Sequence, residues 1–168
     1  KNNNIEHFIF ASSSSVYGNS LVAPFKENFN TDNPISLYAA TKKSNELIAQ
    51  VYNHLYKLKT TGLRFFTVYG PWGRPDMAYF RILTSVLTGE KFELFGDGSI
   101  RRDFTYIDDT VEGILALIRN AYKIETGKPE IFNIGGGKPA SINELMEEIE
   151  KISGSSVNRI SKGEISGD

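Results

Sequence analysis

The stretch His7-Phe8-Ile9-Phe10-Ala11-Ser12-Ser13-Ser14-Ser15-Val16-Tyr17-Gly18 (residues 7–18) decides the fold, because an apolar run stops abruptly at four serines. Phe8 to Ala11 reads as a short buried strand. A serine cluster at the C-terminal end of a parallel strand lies where open α/β sheets bind ligands.

Downstream, strands and helices alternate. Residues 19–37 are irregular, with Pro24 and Pro34 as breakers. A long helix is expected from about Leu37 to Leu58, with Leu47, Ile48, Val51, Tyr52, Leu55 and Leu58 as its apolar face. Gly62 ends that segment, and Leu63 to Val68 reads as a buried strand before the turn Gly70–Pro75. Further helices are expected at about Ala78–Leu87 and Asp108–Ala121, the latter with the stripe Val111, Ile114, Leu115 and Ile118. Strands are expected at Phe92–Phe95 and Glu130–Ile134. The last helix opens with Ser141 and Glu144, spaced as a capping box, over the face Ile142, Leu145, Met146, Ile149 and Ile152. Such alternation argues for a parallel α/β sheet.

Composition narrows the function. In 168 residues, 19 Lys and Arg balance 20 Asp and Glu, which removes the basic footprint of a nucleic-acid binder. With no Cys, a disulfide scaffold, a Cys-ligated zinc and a Cys nucleophile are excluded. His7 and His54 lack metal-ligand spacing, and no metal is expected. No apolar run approaches the ~20 residues of a membrane span, and no signal-peptide pattern opens the chain. The chain starts at Lys1 without Met and stops at Asp168 without a closing element, so it is expected to be a piece of a longer protein, natural or engineered.

Tyr38-Ala39-Ala40-Thr41-Lys42 places a phenol and an ammonium on one helical face. A neighbouring cation favours the phenolate, drawing a Tyr from about 10 toward the range of a working base. Taken alone the spacing is common. Its place, some 25 residues after the serine strand, gives it weight.

Five segments, in order, carry a resemblance: SSSSVYG (12–18), SLYAATKKSNE (36–46), GLRFFTVYGPWGRPDMA (62–78), FGDGSIRRDFTYIDD (95–109) and FNIGGGKPASINEL (132–145). Together they resemble the C-terminal two-thirds of an extended short-chain dehydrogenase/reductase of the NAD-dependent nucleotide-sugar epimerase/dehydratase family. The third segment is most similar to UDP-glucuronate 4-epimerases, capsular-polysaccharide epimerases included. The resemblance implies an α/β fold, the C-terminal part of a Rossmann-like parallel sheet plus the small substrate-binding domain. Residues 1–75 would hold the end of the NAD-binding domain with the Tyr/Lys helix. Residues 76–168 would be mainly nucleotide-sugar-binding, interleaved with late Rossmann elements.

By that resemblance Tyr38 is the catalytic acid/base, and Lys42 lowers its pKa and holds the nicotinamide ribose. Ser13 matches the catalytic Ser/Thr, with Ser14 and Ser15 beside it at the sugar. Phe65 and Phe66 line the nicotinamide, and Thr67 the substrate. Arg102 matches the arginine on the diphosphate, Glu93 and Phe95 the segment around the uracil, and Asp168 the carboxylate near the uridine ribose. Dehydratase members carry an acidic pair after the catalytic Ser/Thr, and decarboxylating members a Glu. Ser14 and Ser15 can do neither job, which leaves 4-epimerisation of a UDP-sugar through transient C4 oxidation by NAD. Arg74 is the expected partner of a uronate carboxylate, since its planar fork binds carboxylates bidentately. A neutral UDP-glucose/galactose-type substrate, another epimerase/dehydratase activity and a non-catalytic assembly or binding module remain open. The family's dinucleotide-binding glycine fingerprint is absent from this chain, so the chain alone is expected to be inactive and to bind NAD poorly. A cytoplasmic homodimer, without nucleic-acid or membrane partners, is expected.

Three features invite a functional reading but take a simpler one. Gly135-Gly136-Gly137-Lys138 lacks the Ser/Thr of a phosphate loop and reads as a tight turn. Asp108-Asp109 reads as helix capping rather than a metal site. Trp72 is expected to pack rather than to stack on a ligand.

Overall fold

In the computed structural model, which describes residues 5–20, 22–125 and 129–163, the alternation is realised. The order is β1 (His7–Ser13), a 3-10 turn (Ser14–Tyr17), α1 (Leu37–Tyr56), β2 (Lys59–Phe65), β3 (Thr67–Tyr69), α2 (Ala78–Thr88), β4 (Phe92–Phe95) and β5 (Arg101–Tyr106). There follow α3 (Ile107–Arg119), a second 3-10 turn (Ala121–Lys123), β6 (Glu130–Ile134), β7 (Pro139–Ser141), α4 (Ile142–Ser153) and β8 (Arg159–Lys162). Two compact units result: Lys1–Phe66 with Asp108–Gly135, and Thr67–Ile107 with Gly136–Asp168.

The first unit is built on a parallel sheet of order β1-β2-β6. Its centre explains Gly62, which lies inside β2 rather than ending a segment. Gly62 pairs with Phe10 on one side and Ile131 on the other. A Cβ there would come within 2.6 Å of Ile131 Cδ1 and 2.7 Å of Phe10 Cζ, so the aromatic neighbour occupies the space a side chain would need. The expected strand Leu63–Val68 is two strands. After Phe65 the chain leaves the first sheet, Phe66 N–H donates to the Ile134 carbonyl (3.2 Å), and β3 joins a different sheet.

Helix α1 forms as expected but buries the opposite face. Ser36 caps it, its hydroxyl accepting from Ala39 N–H at 3.1 Å. The buried positions are Ala39, Glu46, Ala49 and Asn53, at helical spacing. Leu47, Ile48, Val51, Tyr52 and Leu55 are about half exposed instead. Small and polar residues face the sheet because α1 packs closely on β1, β2 and the first 3-10 turn. Val111, Leu115 and Ile118 of α3 are likewise exposed. Phe8, Phe10, Ile48, Tyr52 and Tyr56 line an open groove of about 1140 Å³ in this unit.

The second unit has an apolar core: Ile82, Phe92, Leu94, Met146 and Val157, with Val86, Ile142, Leu145 and Ile149 packed around it. Here the expected α4 face is buried through Met146, and both halves of the Ser141/Glu144 capping box are made. Ile152, expected on the same face, is 83% exposed. Strand β3 pairs parallel with β5, β5 antiparallel with β7, and β4 parallel with β8. Among the described residues no helix is long and apolar enough to cross a membrane.

Met146→Ala is expected to cost about 2–5 kcal/mol, the range for emptying a buried methionine site. Ile152→Ala should stay within about 0.5 kcal/mol, as exposed substitutions do. Urea unfolding of both variants checks this, and equal losses would contradict the described core.

Candidate active site

The serine strand, the Tyr/Lys helix and the end of β2 converge in the first unit. Ser13 and Phe65 are register partners at the C-terminal ends of β1 and β2, and Phe65 pairs on its other side with Ile134. Ser13 is buried; its Oγ accepts from Ser15 N–H at 3.2 Å and donates to Ser15 Oγ at 3.2 Å. It therefore caps the 3-10 turn that carries Ser14 and Ser15. Ser15 is exposed and Ser14 partly so.

Tyr38 sits in the first turn of α1 and is 54% exposed. One helical turn on, Lys42 Nζ donates to the Ala11 carbonyl of β1 at 3.0 Å and lies 5.6 Å from the Tyr38 ring centroid. The ammonium is thus tethered to the serine strand while standing beside the phenol. Phe66 is reached by a different route, through the stacked rings of Tyr17, Phe25 and Phe66 with centroid separations of 4.6 and 6.2 Å.

Beneath these groups lies a buried ion pair that the sequence reading missed. Arg64 Nε and Nη2 donate to Glu46 Oε1 and Oε2, both at 2.9 Å, and the side chains are only 4% and 7% exposed. Glu46 Oε1 also accepts from Ser12 Oγ at 2.6 Å. Arg64 Nη1 donates to Tyr17 Oη (2.9 Å) and to the Glu27 carbonyl (3.2 Å), and its guanidinium lies 4.8 Å from the Tyr17 ring centroid. Tyr17 Oη donates to Asn133 Oδ1 at 2.7 Å, and Asn133 Nδ2 to the Phe25 carbonyl at 2.9 Å. Burial pushes the Glu46 carboxyl up, but the hydrogen bonds from Arg64 and Ser12 outweigh it and hold it below the usual range. Arg64 is raised: burial lowers it, and Glu46 and Tyr17 more than compensate. The signal was present, since an arginine inside a buried strand requires a buried partner, and Glu46 follows Lys42 by four residues on one helix face.

The remaining expected contacts lie in the second unit. Thr67 opens β3 and is partly buried. Arg74 is exposed and binds Asp76 through Nε–Oδ1 (3.0 Å) and Nη2–Oδ2, which holds the Asp76 carboxyl below its ordinary value. Glu93, in β4, lies 4.0 Å from Arg81 Nη2 and 3.5 Å from Lys162 Nζ, and Phe95 ends the same strand partly exposed. Of the two arginines opening β5, Arg101 is engaged by Glu144 at 3.1 Å and by the Pro139 carbonyl. Arg102 is exposed and makes no ion pair among the described residues. Asp168 lies outside the described residues.

The glycine turn has an internal occupant. Asp103 accepts from Gly136 N–H and Gly137 N–H, each at 2.7 Å, so its carboxylate fills the place an anion would take. Asp108 and Asp109 lie in the first turn of α3, where the helix dipole favours them. Among the described residues no group of three or more acidic or histidine side chains could hold a metal. Trp72, expected to pack, is instead fully exposed at φ 64°.

Comparison with known proteins agrees with this architecture. The chain belongs to the NAD dependent epimerase/dehydratase family, whose model matches residues 1–135. It is 48% identical over 160 residues to protein CapI of Staphylococcus aureus, covering 88% of this chain and 48% of that protein. It is 49% identical over 155 residues to UDP-glucuronate 4-epimerase 4 of Arabidopsis thaliana, covering 85% and 35%. The Bacillus cereus UDP-glucuronic acid 4-epimerase, solved with UDP-glucuronic acid and NAD, superposes with a TM-score of 0.88 at 38% identity over 97% of this chain and 50% of that one. The fold is thus the α/β, Rossmann-type parallel-sheet class of these epimerases. The chain spans about half the length of such relatives or less, not the two-thirds that the sequence segments imply.

The buried pair sets an acid limit. Glu46 titrates lower folded than unfolded, so its contribution is complete above about pH 4.5 and is lost as pH falls through the folded value. Glu46→Gln should destabilise by about 3–5 kcal/mol at pH 7, since it strands a buried guanidinium. That difference should narrow below pH ~4.5. Denaturant titrations from pH 3 to 8 measure it; a pH-independent difference would contradict the assignment.

Proposed function

We propose that this chain carries the acid/base and sugar-nucleotide contacts of an NAD-dependent UDP-sugar 4-epimerase that converts UDP-glucuronate to UDP-galacturonate. The observation that carries the reading is the Lys42 tether: an ammonium bound to the serine strand at Ala11 and standing beside an exposed Tyr38. The first unit is read as the cofactor side. The second is read as the nucleotide-sugar side, through Thr67, Glu93, Phe95 and Arg102, which makes no ion pair among the described residues; Asp168 stays in this set from the resemblance alone.

The residues fit a nicotinamide ribose. Lys42 Nζ spends one donor on Ala11 and keeps others for hydroxyls. Phe65 and Phe66 are partly exposed at the same end of the sheet. Bound NAD would supply the hydride acceptor and donor for C4. Tyr38 takes the C4 hydroxyl proton as the carbon is oxidised and returns it on reduction, with the Lys42 ammonium held beside its ring. Ser13 holds the same oxygen by hydrogen bond, with its own hydroxyl oriented by Ser15. Ser14 and Ser15 add polar contacts without an acid for dehydration. Family resemblance supports a cytoplasmic site of action. The exposed apolar stripe of α1 supports a homodimer.

One observation favours a second reading. Arg74 already has a carboxylate, Asp76, so a neutral UDP-hexose would leave that pair undisturbed. On the uronate reading the sugar carboxylate displaces Asp76 from the guanidinium fork.

Two variants of the protein expressed from its natural start codon test these roles. Tyr38→Phe keeps the packing ring and removes the proton acceptor, so turnover should fall about 10²–10⁴-fold with unchanged thermal stability. Near-normal turnover would exclude Tyr38 as the base. Arg74→Leu should weaken UDP-glucuronate binding by about 1.5–3 kcal/mol, the scale of a hydrogen bond to a charged group. It should also release CO₂ from the loosened β-keto acid. Unchanged affinity and no added CO₂ would return the substrate to the neutral-hexose class.

A further inference from the structure

Glu46 and Arg64 have no place in the proton and hydride chemistry, yet they hold the elements that do. Glu46 lies on α1 one turn beyond Lys42 and two turns beyond Tyr38. Its Oε1 grips Ser12, the residue between Ala11, which anchors Lys42, and Ser13, which faces the substrate on the reading above. Arg64, opposite Ser12 in the β1–β2 register, completes a bidentate clamp from the central strand. Its third nitrogen extends the clamp to Tyr17 and the Glu27 carbonyl, and Tyr17 continues to Asn133 on β6. One buried network therefore joins α1, all three strands of the sheet, the 3-10 turn and the loop carrying Phe25 and Glu27.

We propose that Glu46 and Arg64 are positioning residues: their clamp fixes the axial and rotational register of α1 against the serine strand, and so sets Tyr38 and Lys42 relative to Ser13. This rests on the acid/base reading of Tyr38. A directional, two-point bond accomplishes what an apolar contact cannot, because leucine-like packing tolerates sliding whereas a bidentate pair specifies both distance and orientation. Placement at this level matters, since a displacement of about 1 Å at a reacting group can cost about 10²-fold in rate. The small residues at Ala39 and Ala49 supply no competing register of their own.

The test is the double variant Glu46→Leu/Arg64→Met, which removes the pair without stranding either charge. Replacing a buried pair by apolar residues is often neutral for stability, so the melting temperature should stay near wild type. Turnover should nevertheless fall about 100-fold with KM for the UDP-sugar within about threefold, a loss of placement rather than binding. Hydrogen exchange read without ligand should rise in residues 14–17 and 37–42 while the strands of the sheet keep their protection. If the double variant does not fold, Ser12→Ala cuts only the link to the serine strand and should lower kcat without raising KM, with the same local exchange. Wild-type kcat with unchanged exchange, in whichever variant folds, overturns the proposal, and so does a loss carried by KM. If the wild-type protein turns over no UDP-sugar, the functional reading fails, and the exchange measurement still decides whether the clamp orders these segments.

Discussion

The bidentate Glu46–Arg64 pair is the constraint around which the first unit is arranged, because two charges removed from water must satisfy each other completely or be expelled. Nearly every donor and acceptor of the pair is used, by Ser12, Tyr17 and the Glu27 carbonyl as well as by the partner. That requirement explains the composition of the face α1 turns inward. A carboxylate needs space and partners, so the flanking inward positions are alanine and asparagine, and the larger apolar residues lie on the other side. The same network reaches outward to the proposed site. Ser12 is held from below, so its neighbours present a carbonyl to Lys42 and a hydroxyl at Ser13.

The second unit follows another logic, with an ordinary apolar core and its charges arranged at the edges. Asp103 closes the glycine turn from within, Glu144 engages Arg101, and Asp76 engages Arg74. Among the arginines proposed to meet anions, Arg102 makes no ion pair among the described residues, and Arg74 is engaged by Asp76. On the proposed uronate reading, binding of an acidic sugar is a competition between two carboxylates, Asp76 and that of the sugar, for one guanidinium fork. An exposed pair of this kind contributes little by itself, on the order of 1 kcal/mol or less, so a substrate carboxylate held by further contacts can displace it.

Much of this was legible in the residues. Strand β1, helix α1, β4, β6 and the capping box of α4 follow from periodicity and local hydrogen-bonding chemistry, which act over a few residues. The wrong face of α1 and the split after Phe65 were not legible, because both are set by partners distant in sequence. Glu46 meets an arginine eighteen positions on, and Phe66 N–H bonds the Ile134 carbonyl of β6 before the chain passes to another sheet. Trp72 misled for a related reason: bulk and apolarity suggest packing, but a residue at positive φ in a Gly-Pro turn points where the turn points. Tyr38, Lys42 and Ser13 were singled out by spacing and resemblance together, and the structure brings their segments together in the first unit. The clamp beneath them carries no local motif: its one mark in the residues is a charge, Arg64, inside a buried strand.

The central claim is that the protein carrying this chain inverts C4 of a UDP-uronate and does nothing further to it. Incubating the protein, expressed from its natural start codon, with UDP-glucuronate and NAD and resolving the products by chromatography and mass spectrometry tests it directly. The account predicts UDP-galacturonate of unchanged mass, approached from either epimer, with no net consumption of NAD. A dehydrated or decarboxylated nucleotide sugar as the main product, or no conversion by a folded, NAD-saturated protein, would contradict it.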